Sequence, residues 1–122
     1  GNDVENVIPR SGSNYTSTVI DGATVSGSVT TNSSSAIANT VYTNPGGKRT
    51  AVAYVYYEDC DLYYRSSATS SSTQSGGVQA TATRTIIGAE VVGGQGIHSL
   101  AYKTYTWNDY TSTGLIPAVI VN

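Results

Sequence analysis

Apolar and polar residues alternate along this chain in short runs, and turn residues separate the runs. Residues 24–31 set the pattern: Val25, Gly27 and Val29 fall on one side, Ser or Thr on the other. Alternation with a period of two is the mark of a half-buried strand. Comparable runs cover residues 15–20, 36–43, 49–57, 62–67, 78–87, 97–107 and 116–121, with a fragment at 89–92. Turns are expected at Asp21-Gly22, at residues 32–35, at Asn44-Pro45-Gly46-Gly47 and at Gly93-Gly94-Gln95-Gly96. Residues 66–77 are low-complexity Ser, Thr, Gly and Gln, and read as a mobile loop; residues 108–114 read as a loop. Pro117 places the last run at a sheet edge. No segment shows an apolar stripe at helical spacing. About eight short strands with regular turns imply an all-β fold, a single antiparallel β-sandwich of Greek-key, Ig-like or jelly-roll-like type. Residues 1–12 form an N-terminal arm partly ordered by Val7 and Ile8, and residues 13–122 form the domain.

The alternation is densest at Tyr54-Val55-Tyr56-Tyr57 and Leu62-Tyr63-Tyr64-Arg65, which flank Glu58-Asp59-Cys60-Asp61. A four-residue loop over Glu58–Asp61 pairs Tyr57 with Leu62, Tyr56 with Tyr63 and Tyr54 with Arg65. One face of this hairpin is then Ala51, Ala53, Val55, Tyr57, Leu62 and Tyr64, the core side. The other carries Tyr54, Tyr56, Tyr63 and Arg65. Tyrosine offers a stackable ring and a hydroxyl at low entropic cost, so this row is the first candidate binding face. Tyr105 and Trp107, on one side of the long 97–107 run, form a second. An Ala-x-Ala step recurs at Ala36/Ala38 and Ala80/Ala82 within two similar segments, 33–43 and 75–85; chance suffices to explain it in so simple a sequence.

Composition sharpens the picture. With 122 residues the chain has room for one core. Ser and Thr supply about a quarter of it, Met and Phe are absent, and only 11% of residues are charged. A net charge of −2 without a basic patch excludes nucleic acid as the natural partner. No apolar run is long enough for a membrane-spanning helix. Cys60 is the only cysteine, which rules out an intrachain disulfide. Few charges, few cysteines and many hydroxyl residues fit an exported, secreted or cell-surface bacterial protein whose signal peptide has been removed.

Few residues offer chemistry. Glu58, Asp59 and Asp61 are close enough in sequence to suggest Ca²⁺ ligands, although the Asp-x-Asp-x-Asp-Gly loop is missing. No other cofactor is implied. His98 is the only histidine and has no nucleophile elbow to serve. Acids beside Cys60 disfavour its thiolate. The expectation is a non-enzymatic module that binds a glycan, a cell-wall polymer or a protein partner through its Tyr-rich face. Ser67-Ala68-Thr69 through Gly77-Val78-Gln79-Ala80-Thr81-Ala82-Thr83 resembles lactococcin-type bacteriocins, which are small secreted β-sandwiches. The likeness covers under a fifth of the chain. It implies the alternative, a secreted antibacterial or toxin-like protein acting on a cell envelope.

Overall fold

The computed structural model describes residues 12–121; the N-terminal arm lies outside the described residues but for Gly12. Eight strands follow in order: β1 (Gly12–Ile20), β2 (Ala23–Thr31), β3 (Ser35–Tyr42), β4 (Lys48–Asp59), β5 (Leu62–Ser72), β6 (Gly76–Thr83), β7 (Glu90–Tyr102) and β8 (Tyr105–Gly114). They form two four-stranded antiparallel sheets, β1-β2-β3-β6 and β5-β4-β7-β8, and the described residues contain no helix. The inner faces of the two sheets meet in the core.

Alternation works as the sequence implies. In β2, Ala23, Val25, Gly27, Val29 and Thr31 point inward and are buried. In β4, Ala51, Ala53, Val55 and Tyr57 do the same. The two Ala-x-Ala steps prove to be neighbours: Ala36 pairs with Ala82 and Ala38 with Ala80 across β3 and β6. Small side chains there let the sheets approach closely. A Cβ on Gly94 would collide with Thr31 and Ala36.

Four expectations change. Residues 66–77 are no loop, because Ser66 to Ser72 of β5 pair along β4 as far as Arg49. Ser and Thr fit an edge strand well, and the polar composition disguised it. The Gly93-Gly94-Gln95-Gly96 turn is strand interior instead. Its glycines keep ordinary strand conformations and serve close packing: a Cβ would meet the Leu115 backbone at Gly93, and His98 and Thr111 at Gly96. The long 97–107 run folds back at Lys103, φ 54°, so that 108–114 becomes strand β8. The final run makes only a parallel bridge, Val121 to Tyr64.

The hairpin register also moves. Cys60 and Asp61, with φ of 51° and 66°, form a two-residue turn of the mirror-image type that suits twisted strands. Tyr57 therefore pairs with Tyr64, and Tyr56 with Arg65. The shift is two residues, so every side chain keeps the face expected for it.

Candidate functional site

The outer face of the β5-β4-β7-β8 sheet collects the hairpin candidates. Tyr54, Tyr56, Tyr63 and Arg65 all lie on it, because each occupies the alternate position to a buried residue. The Arg65 guanidinium sits 4.6 Å from the centre of the Tyr54 ring, a cation–π contact. The Tyr54 and Tyr56 rings are 6.5 Å apart at 30°. The Tyr56 hydroxyl donates to Gln95 Oε1 at 3.2 Å. Tyr63 is half-buried opposite Glu58.

Tyr56, however, is only 3% exposed and presents no ring to a ligand. Its neighbour on β7 is Gly93, whose open position is occupied by the backbone of Leu115. Leu115 N–H donates to Val92 C=O at 2.9 Å, and Val121 N–H donates to Tyr63 C=O at 2.7 Å. Residues 115–121 thus run from β8 to the β5 edge across this end of the face, with Tyr56 beneath their path. The exposed surface begins at Tyr54.

A residue that the sequence reading set beyond the Trp107 side of the long run, and not on this face, completes it. Tyr110 is 63% exposed and stands beside Ile97, which in turn pairs with Val52. Ser67, Thr69, Ser99, Asn108 and Ser112 share this face. The alternation of Thr106, Asn108, Tyr110 and Ser112 with Trp107, Asp109, Thr111 and Thr113 was the available signal. The result is a surface with two separated phenol rings, one arginine, Val52 and Ile97 on the same face, and a surround of hydroxyl and amide groups.

Trp107 and Tyr105 share a face as expected, but it is the inner one. Trp107 packs with Ile20 and Tyr102 against Val25, Tyr42 and Leu100, closing one end of the core. Tyr105 stays partly exposed at the strand start. Neither joins the outer surface.

The acidic tip diverges. Glu58 faces outward opposite Tyr63, Asp59 follows on the other side, and Asp61 sits in the turn. Among the described residues no group of three or more His, Cys, Asp or Glu side chains converges to hold a metal.

His98 lies between the sheets with no exposed surface. Thr40 Oγ1 donates to Thr50 C=O at 2.9 Å, so it accepts from His98 Nδ1–H, also at 2.9 Å. Nε2 then accepts the Thr111 hydroxyl at 2.7 Å. Burial pushes the imidazole below its ordinary pKa, against the smaller opposing effects of Asp109 and the Asn39 backbone. Asp109 accepts from the Thr16 hydroxyl at 2.6 Å and from Tyr110 N–H at 2.8 Å, which lowers its own pKa. The ring packs so closely on Gly27 that a Cβ there would enter it. This histidine is held neutral as a structural bridge, and a substrate has no route to it.

No protein-family model matches the chain, and comparison with curated proteins and with solved structures finds no match.

Proposed function

We propose that the protein is a non-enzymatic secreted or cell-surface β-sandwich module that binds a glycan or cell-wall polymer. The outer face carrying Tyr54, Arg65, Gln95 and Tyr110 is the binding surface. One observation carries this reading: two phenol rings, at least one widely exposed, stand on a sheet face with Val52 and Ile97 beside them and hydroxyls and amides around. Rings supply apolar contact for the faces of sugar units, and the hydroxyls and amides match their hydroxyl groups. Tyr54 is already held by Arg65, so little entropy is lost when a ligand stacks on it. The Greek-key reading is supported by β3 and β6 lying side by side while the β4–β5 hairpin between them belongs to the other sheet.

The test is co-sedimentation with insoluble peptidoglycan, chitin and cellulose, with and without EDTA. Retention on one polymer is expected, unaffected by EDTA. The double variant Tyr54→Ala/Tyr110→Ala is expected to weaken it about tenfold or more, since exposed tyrosines carry a large share of such contacts. Retention that survives the double variant would place the site elsewhere. Lack of retention on every polymer would favour a protein partner.

A further inference from the structure

The opposite sheet offers a second surface of a different kind. Strand β1 is an edge: it pairs with β2, and among the described residues no strand pairs with its other side. Edge strands in stable monomers are usually blunted by charge, proline, a bulge or short length. β1 has none of these. Its sequence, GSNYTSTVI, contains no charged residue and no proline, and its nine residues run in unbroken register along β2.

Its main-chain groups are set for pairing. Asp21 and Gly22, with φ of 51° and 75°, form a two-residue turn closed by Ile20 and Ala23. In such a turn the closing pair exchanges hydrogen bonds, so alternate residues turn their N–H and C=O groups outward. Those residues are Val19, Ser17, Tyr15 and Ser13. The same residues place their side chains on the solvent face, since Thr16 and Ile20 point into the core. Tyr15 and Val19 are each 64% exposed, two large apolar groups with nothing covering them among the described residues.

We infer that β1 pairs with β1 of a second copy of this chain, antiparallel about a two-fold axis through Ser17. This register sets Ser17 beside its symmetry mate and Tyr15 beside Val19 of the second copy, twice over. Aromatic and β-branched side chains opposite one another are a favourable cross-strand combination. The strand residues that meet, from Asn14 to Ile20, are neutral, and Asp21 falls opposite Ser13, so self-pairing brings no like charges together. The other edges fit less well. β6 shows Gly77, Gln79, Thr81 and Thr83 on its outer face and has no apolar group to pair. Part of the β5 edge is taken by Val121. β8 carries the inward Asp109. The inferred dimer joins two sheets into one continuous eight-stranded layer and leaves both Tyr54–Tyr110 faces free. It does not depend on what those faces bind.

Sedimentation velocity of the full chain between about 1 and 100 µM tests it, with reducing agent present to keep Cys60 from cross-linking. The wild-type chain should shift from monomer to dimer across this range. Ser17→Lys puts two ammonium groups side by side on the axis and should raise the dissociation constant at least about tenfold. Its melting temperature, measured at about 1 µM where the wild-type chain is monomeric, should stay close to wild type because Ser17 is exposed. Ser17→Cys with Cys60→Ser, after oxidation, should give a disulfide-linked dimer, and Ser26→Cys with Cys60→Ser should not. A monomer at every concentration, or a dimer indifferent to Ser17→Lys, would overturn the inference. If Ser17→Lys lowers the melting temperature strongly, the cysteine pair decides.

Discussion

Two parts of the core are built on opposite principles. Beside β6 and β5 the inner residues are Ala36, Ala38, Ala53, Val55, Ala80 and Ala82, joined by Tyr57. Towards the middle of β7 and β8 they are Thr40, His98, Thr111 and Asp109, with Thr31 bonded to Thr113 at 2.7 Å. The first part is held by non-directional burial and tolerates small shape changes by relaxing. The second is held by hydrogen bonds in which each buried donor needs its acceptor. A polar core layer adds little net stability when complete and costs heavily when one partner is lost. It fixes how the sheets sit on one another, and the apolar part supplies the driving force.

Substitutions can break this contrast in order of expected size. Gly27→Ala forces a methyl group into the His98 ring, and His98 cannot retreat without losing Thr40 and Thr111. A loss of about 3 kcal/mol or more is expected, read as a collapsed urea midpoint. Val55→Ala, in the apolar part, should cost about 2 kcal/mol by the same measurement. Thr111→Val keeps the volume and removes the hydroxyl that serves Nε2. It should cost about 1–2 kcal/mol even though it makes the core more apolar. An unchanged or stabilised Thr111→Val would show that the polar layer is not needed as a set.

Acid should separate the two parts further. His98 is held neutral in the folded chain, with its pKa below the ordinary 6.5. The unfolded chain therefore binds a proton first as pH falls. The stability linked to His98 is complete above about pH 6.5 and declines below it. Asp109, also lowered, keeps its contribution until the pH falls below the ordinary carboxylate value of 3.8. Melting temperature should therefore drop between about pH 6.5 and 5 in the wild-type chain. His98→Gln, whatever its overall cost, should show a flatter profile in that window. Equal slopes would remove His98 as the source.

The sequence made the strand count and the inner face of the tyrosine hairpin readable, because period-two alternation survives an even shift in register. It hid β5 and β8. In an edge strand of Ser and Thr, both faces are polar and the pattern has little contrast. Glycines misled at residues 93–96, where the demand is for space between packed layers rather than for a turn. The path of residues 115–121 over Tyr56 was invisible for a different reason. It depends on which strand the chain passes after β8, and no local pattern encodes that. Tyr110 was readable in principle, in the alternation of residues 106–113.

One inner residue sets the order in which this molecule can assemble. Arg49 is fully buried, and its guanidinium donates to the carbonyls of Tyr42, Asn44, Gly46, Gly47 and Gly76. Those acceptors come from the end of β3, from the β3–β4 connection and from the start of β6. A charged group cannot leave water until enough of them are in place. Four of the acceptors are local to Arg49, but Gly76 is 27 residues away, so closing this end waits for β6 and is expected late in folding. Arg49 should consequently act on the rate of unfolding far more than on the rate of folding.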